Sequence, residues 1–238
     1  MAIVLRPRQQ NNQTISIGFS GAAGVGKTTV SKLLSKKLGI LYVDTGAMYR
    51  AVGLYFLNNN IEINSENVEK NIKSINIQLE IINGNNLIFL NGEDVTEYIR
   101  TEEVSMAASN ISKYNIVRDM LVKKQRDIAG EKSVVIEGRD TASVIFPNAD
   151  VKIFLISSIN VRAKRRYEDL KKKEANCNAL TFEKVKEDMI KRDEQDTTRK
   201  NAPLIKTQDS IIIDTTNNTI EQTADIILNI LNERIGLK

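Results

Sequence analysis

The sequence predicts an α/β fold in which a five-stranded parallel sheet is flanked by helices and carries a small β-containing insertion. Three observations carry this. The chain opens as strand, glycine-rich turn, helix, strand, helix, which is the signature of a parallel sheet. Three later apolar runs, Val134–Ile136, Val151–Ile156 and Ile211–Ile213, are each followed by polar turn residues and then a helical stretch. Between the two groups, Asn76–Val95 alternates apolar and polar residues around the pairs Asn83-Gly84 and Asn91-Gly92, a pattern suited to a small antiparallel meander.

Each element has its own justification. Residues 1–14 read as a disordered lead-in, because Arg6-Pro7-Arg8 and the run Gln9–Gln13 offer little to bury. Ile15–Phe19 alternates as a short strand. From Thr28 to Leu38 the apolar residues Val30, Leu33, Leu34 and Leu38 fall at helical spacing, and Gly39 is a good stop. Ile40–Val43 is a buried-strand candidate, and Asp44 or Thr45 can cap a helix over about 47–57. Residues 62–100 form the expected insertion within a framework of 15–61 and 101–238. Residues 161–200 read as two charged helices joined by a polar loop near 174–180. Thr219–Gln222 is a capping box that opens the last helix.

Composition excludes several kinds of chemistry. The 238 residues contain no His, which removes catalytic triads, histidine bases and histidine metal sites. One Cys, Cys177, excludes an intrachain disulfide and a cysteine metal cluster. With Lys+Arg 34 against Asp+Glu 30 the net charge is +4, compatible with an anionic partner or simply with a soluble lysine-rich surface. No apolar run approaches the roughly 18 residues of a membrane span, and Ala2–Leu5 is too short for a signal peptide. The expectation is a cytoplasmic protein without membrane or nucleic-acid partners, and a monomer.

Gly21-Ala22-Ala23-Gly24-Val25-Gly26-Lys27-Thr28, followed by Thr29, matches G-x-x-x-x-G-K-[ST] between a strand and a helix. Glycines let the backbone curl so that successive N–H groups face a phosphate chain, and the helix N-terminus adds its positive end. Lys27 can reach the outer phosphates and the Thr28 hydroxyl can meet Mg²⁺. ATP with Mg²⁺ is the implied cofactor pair. No Asn-Lys-x-Asp guanine motif accompanies the loop, which argues against a regulatory GTPase.

A small kinase needs a second anion site, and the chain offers one. Thr45 at a helix start and Arg50 on that helix would face the first site across the strand ends, a surface salt bridge being the plainer alternative for Arg50. Glu137-Gly138-Arg139-Asp140 follows a strand, so its charges would lie at the carboxyl end of the sheet, where such folds bind ligands. A loop ion pair is the plainer account of Arg139 and Asp140. Glu137 could hold an Mg²⁺-bound water or be a strand-end charge. Arg162, Arg165 and Arg166 share one helix face, and Arg192, Asp196 and Arg199 another; both sets suit a phosphate clamp. Phosphoryl transfer is mostly positioning and charge stabilisation, and a phosphate-monoester acceptor with a second pKa of about 6 is already anionic. The lack of histidine is then no handicap.

Over about 15–231 the chain resembles bacterial cytidylate kinases, a family of P-loop nucleoside monophosphate kinases. The resemblance rests on the phosphate loop, Asp44-Thr45-Gly46-Ala47-Met48-Tyr49-Arg50, Leu90–Val95 leading into Ile99–Val104, Gly138-Arg139-Asp140 through Phe146-Pro147, Arg162–Tyr167, Arg192–Asp196 with Arg199, and Ala202-Pro203-Leu204. It implies transfer of the γ-phosphate of ATP to CMP or dCMP. By resemblance, Ser109, Arg118 and Asp140 would read the cytosine, and Arg50, Arg139 and Arg199 would hold the acceptor phosphate. Arg192 and Asp196 would meet the sugar hydroxyls. Lys27, Arg165, Arg192 and Arg199 would stabilise the transferring phosphoryl group. The charged helices of 161–200 would form the lid, and 62–100 the monophosphate-binding insertion.

Four positions depart from the family pattern: Ala23 stands where serine is common, Thr28 where glycine often precedes threonine, Ala142 for glycine, and Gln195 for a frequent lid arginine. The rival readings are a P-loop kinase for UMP, AMP or a non-nucleotide acceptor, and a basic ATP-binding protein associated with nucleic acid.

Overall fold

A computed structural model describes residues 14–82, 85–173 and 180–236. The lead-in 1–13, the Asn83-Gly84 pair, most of the polar loop near 174–180 and Cys177 lie outside the described residues.

Five parallel strands occupy the expected places: β1 (Ser16–Gly21), β2 (Leu41–Asp44), β6 (Val134–Glu137), β7 (Val151–Ile156) and β8 (Ile211–Asp214). Their order is β2-β6-β1-β7-β8, with β1 at the centre. Register places Asp44 beside Glu137, and Glu137 beside Phe19. The carboxyl ends of β1, β2 and β6 are therefore level, and the charged residues that follow them converge.

Alternation along β1 divides its faces. Ile17 and Phe19 are fully buried with Val30, Leu34, Ile153, Ile213, Ile227 and Leu231, under α1 (Lys27–Leu38) and α8 (Ile220–Ile235). On the other face Val43, Val134, Ile136 and Ile145 pack with Val122 and Ala129 of α5 (Asn115–Ala129). The capping box is present, with Thr219 and Gln222 each bonding the other's backbone. Gly39 closes α1 in the left-handed region, at φ 65°.

Asp44 is the cap of α2 (Thr45–Asn58), accepting from the Ala47 amide at 3.0 Å. The insertion contributes α3 (Ser65–Asn71) and an antiparallel sheet of β3 (Ile77–Ile82), β4 (Asn85–Leu90) and β5 (Glu93–Asp94). Asn91 and Gly92 join β4 to β5 with φ 51° and 90°, the positive values a tight Asn-Gly hairpin requires. Among the described residues this sheet has no separate core. Ile77, Ile88 and Leu90 pack with Met48, Val52 and Phe56 of α2 and with α4 (Glu102–Ile111). The α2–α4 contact is close because of Gly53: a Cβ there would sit 2.9 Å from the Ala108 nitrogen.

One expectation fails locally. No full helix follows β6; a single π-helical turn, Thr141–Ile145, does. Asp140 and Thr141 accept its bonds from Val144, Ile145 and Phe146. The connection must then lead to β7 beyond β1, which leaves little chain for a longer helix. The two charged helices are α6 (Ile159–Lys173) and α7 (Phe182–Thr198), packed on each other through Ala163, Val185 and Met189.

Candidate active site

A cleft of about 1030 Å³ opens at the carboxyl ends of the strands, between the loop after β1, the α4–α5 side and the charged helices α6 and α7. Its first wall is the phosphate loop. Gly21, Gly24 and Gly26 have φ 149°, 75° and 93°, conformations that side chains rarely adopt. Gly21 also has no room, since a Cβ would meet the Leu155 carbonyl at 2.5 Å. The loop is braced from outside. Arg162 Nη1 donates to the Ala23 carbonyl at 3.2 Å and to Asp193 at 2.6 Å, and the Thr215 hydroxyl donates to the Val25 carbonyl at 2.9 Å.

Lys27 begins α1, is 6 % exposed, and its Nζ donates to the carbonyls of Gly21 and Ala22 at 2.8 and 2.6 Å. Burial, reinforced by Arg139 and opposed by Glu137 and Asp196, lowers its pKa from 10.5 to about 7. Residues Ala23–Thr29 line the cleft, while Gly21 and Ala22 stand behind it as partners of Lys27.

Next to the loop lies a buried carboxylate pair. Glu137 is 3 % exposed; its Oε1 accepts from the Tyr42 hydroxyl at 2.6 Å, and Thr28 is its second hydroxyl partner. Burial first, then the neighbouring Asp44, pushes the Glu137 pKa up. Asp44 moves the other way. Burial opposes its charge, but Arg50 at 3.0 Å, Arg100 at 3.7 Å and the Ala47 amide outweigh it and hold the carboxyl below its usual range. Thr45 Oγ1 donates to the Glu137 carbonyl at 2.7 Å, tying the start of α2 to β6. Gly138 is obligatory at this crossing, because a Cβ would lie 2.5 Å from Thr45 Oγ1.

Thr28 and Glu137 suit Mg²⁺: both present oxygen, and the two side chains touch. No group of three or more His, Cys, Asp or Glu side chains among the described residues could hold a metal alone. The donor set is thus one that phosphate oxygens and waters would complete, which is how Mg²⁺ is commonly held.

The opposite wall is built by arginines. Arg139 Nε donates to Asp196 Oδ2 at 2.8 Å, and Arg199 lies 3.6 Å from Asp196 Oδ1. Burial opposes the Asp196 charge, yet Arg139 and then Arg192 hold its pKa down. For Arg192 burial comes first and the nearby Arg139 adds to it, lowering the pKa to about 10. Arg118 forms a buried ion pair with Asp140, donates to the Ser112 carbonyl at 3.2 Å, and lies 5.6 Å from the centre of the Tyr49 ring. Arg50 Nε, Arg192 Nε and Arg199 Nη2 are buried and have no hydrogen-bond partner among the described residues.

The structure brings the expected polar residues to this one cleft: Lys27, Thr28, Thr45, Arg50, Ser109, Arg118, Glu137, Arg139, Asp140, Arg165, Arg192, Asp196 and Arg199 all line it. The helix face of Arg162, Arg165 and Arg166 reads differently from a shared clamp. The three side chains go to three partners: Arg162 to the phosphate loop, Arg165 Nη2 to the Thr215 carbonyl at 2.7 Å, and Arg166 to Glu102. Sequence alone assigns no site role to Tyr42, Tyr49, Arg100 or Thr215, although Tyr49 and Arg100 fall within stretches that carry the resemblance. Tyr42 lies within an apolar strand run and gives no signal, and Thr215 belongs to no local motif; its hydroxyl just past the end of β8 is the only hint.

Comparison with known proteins agrees with this geometry. The cytidylate kinase family profile matches residues 17–233. Curated relatives include the cytidylate kinase of Thermosipho melanesiensis, 48 % identical over 221 residues that cover 93 % of this chain and 98 % of that protein. The cytidylate kinase of Caldicellulosiruptor saccharolyticus is 45 % identical over 93 % of this chain and 97 % of its own length. That of Thermotoga maritima is 40 % identical over 92 % and 98 %. A phosphate loop on a five-stranded parallel sheet, an arginine-walled cleft facing it, the family profile and identities of 40–48 % over nearly the full length lead to one conclusion: the chain belongs to the cytidylate kinase family.

Proposed function

We propose that this protein transfers the γ-phosphate of ATP to CMP or dCMP, giving ADP and the nucleoside diphosphate. The observation that supports it best is the set of buried guanidinium N–H groups without partners among the described residues, on Arg50, Arg192 and Arg199. Leaving one such donor unsatisfied costs about 1–3 kcal/mol. Three of them around one cleft form a site for a polyanion, opposite a loop shaped for another.

The residues divide the work. The loop amides and Lys27 hold the triphosphate. With phosphate oxygens in place of backbone carbonyls, Lys27 regains its full charge where charge develops. Thr28 and Glu137 would hold Mg²⁺ among phosphate oxygens and waters; when bound, the ion neutralises and orients the phosphates. Arg50, Arg139 and Arg199 would fix the acceptor phosphate in line. A monophosphate is a sufficient nucleophile near neutral pH, so no base is needed. Arg192 and Asp196 would meet the sugar. Arg118 and Asp140, with Ser109, would present donors and an acceptor to the base edge. The helices α6 and α7 would serve as the lid that excludes water, and residues 62–100 would support the acceptor side. No described helix is long and apolar enough to cross a membrane.

The test is ADP release from ATP and Mg²⁺ with CMP, dCMP, UMP, AMP and shikimate as separate acceptors. Fast turnover confined to CMP and dCMP is expected, with the CMP:UMP preference eroded in Arg118→Met and Asp140→Ala. Preference for another acceptor, or an unaltered ratio in both variants, overturns the assignment.

A further inference from the structure

Among the described residues, α6 and α7 meet α4 through two polar contacts. Arg166 of α6 pairs with Glu102 at the start of α4. Gln195 of α7 donates from Nε2 to both oxygens of Ser109, the carbonyl at 3.1 Å and Oγ at 3.0 Å. Gln195 lies on the same helix as Arg192 and Asp196. Its contact is also the end of a continuous polar chain. The Ser109 carbonyl accepts from Ser112 Oγ at 2.8 Å, the Ser112 carbonyl accepts from Arg118 at 3.2 Å, and Arg118 pairs with Asp140.

We propose that Gln195 is a positioning residue that couples α7 to the base-reading side of the cleft, by holding Ser109 at the end of the Ser109–Ser112–Arg118–Asp140 chain. This rests on the reading of Ser109, Arg118 and Asp140 as the base-contacting residues. The physical argument is linkage. One amide fixes both oxygens of a half-buried serine from the opposite wall. When α7 is closed, the hydroxyl stands in one place, and a ligand that uses it favours the closed arrangement. Binding at the acceptor site and seating of Arg192 and Asp196 then support one another. Gln195 has no part in the phosphate loop, so its loss falls on the acceptor rather than on ATP.

The experiment compares Gln195→Met, similar in length but unable to donate, with Gln195→Ala, each alone and with Ser109→Ala. Two neutral hydrogen bonds of ordinary strength predict about a tenfold rise in KM for CMP. KM for ATP should change less than about twofold, and kcat should fall by less than KM for CMP rises. In the Ser109→Ala background the effect of Gln195→Met should shrink to about threefold or less, the carbonyl contact alone remaining. Equal rises in both KM values, a loss confined to kcat, or full additivity with Ser109→Ala would overturn the proposal. The acceptor assignment fails separately: a wild-type enzyme that prefers another acceptor sinks that reading. The same variants assayed with the preferred acceptor still decide the role of Gln195 by the split between the two KM values.

Discussion

Lys27 carries a thermodynamic signature that can be measured without substrate. It is 6 % exposed, and its proton affinity falls from the ordinary 10.5 to about 7, chiefly through burial. That is a factor of about three thousand, or about 5 kcal/mol at about 1.4 kcal/mol per tenfold step. Between pH 7 and 10.5 the unfolded chain keeps this proton while the folded chain has given it up. The unfolded state thus binds more protons, and stability must rise with pH across that window. Below pH 7 the full cost is present; above 10.5 it vanishes. At pH 7.5 the cost is about 4 kcal/mol and at pH 9.5 about 1 kcal/mol. Lys27→Met removes it but also forfeits the bonds to the Gly21 and Ala22 carbonyls, together about 1–2 kcal/mol. The variant should therefore be more stable than wild type by about 2–3 kcal/mol at pH 7.5 and about equal to it at pH 9.5. Urea unfolding of both proteins at the two pH values measures this, with ADP release falling by orders of magnitude in the same variant. A stability difference independent of pH, or a variant less stable at pH 7.5, refutes the reasoning.

Other substitutions separate structure from chemistry. Asp140→Asn leaves Arg118 buried without its counter-ion and should cost about 3–5 kcal/mol in denaturant unfolding, besides the change in base choice proposed above. Gln125 is fully buried on α5 with neither amide atom partnered among the described residues, so Gln125→Leu should stabilise by about 1–2 kcal/mol and leave turnover unchanged. Gly53→Ala forces a methyl against the α4 backbone, and its helix-propensity gain of about 1 kcal/mol does not offset an overpacking cost of about 1–3 kcal/mol; the midpoint of unfolding should fall.

What was legible in the sequence was whatever a short stretch of chain decides alone. The strands follow from apolar runs. The phosphate loop follows from three glycines, a lysine and a threonine, and the hairpin at Asn91-Gly92 from its need for positive φ. Arg192, Asp196 and Arg199 could be grouped because one helix carries their spacing. The partners of Arg162, Arg165 and Arg166 were not legible, because helical spacing gives a shared face but not what that face meets. Glu102, Thr215 and the Ala23 carbonyl come from three distant segments. Tyr42 escaped for the same reason: only the register of β2 beside β6 shows that its hydroxyl ends on Glu137.

The same distinction explains how the cleft can be both buried and charged. The buried acids Asp44, Glu137, Asp140 and Asp196 each have a cationic neighbour, but Lys27, Arg50, Arg100, Arg118, Arg139, Arg192 and Arg199 outnumber them. Asp196 alone faces Arg139, Arg192 and Arg199, and Asp44 faces Arg50 and Arg100. The surplus is visible in three side chains, Arg199 among them, whose pKa is lowered by burial and then by Arg118. Lys27 is driven to about 7 and Arg192 to about 10, each by burial first and by Arg139 second. A fold selected for stability alone would replace one of these cations, since a buried charge left short of partners costs several kcal/mol. The excess becomes favourable only when phosphate groups enter. Two anionic nucleotides, which repel each other in water, can then lie with their phosphates adjacent. On the proposed function, the strain carried by the free protein and the charge that would bring the two phosphates together are therefore one feature of the same cation-rich cleft.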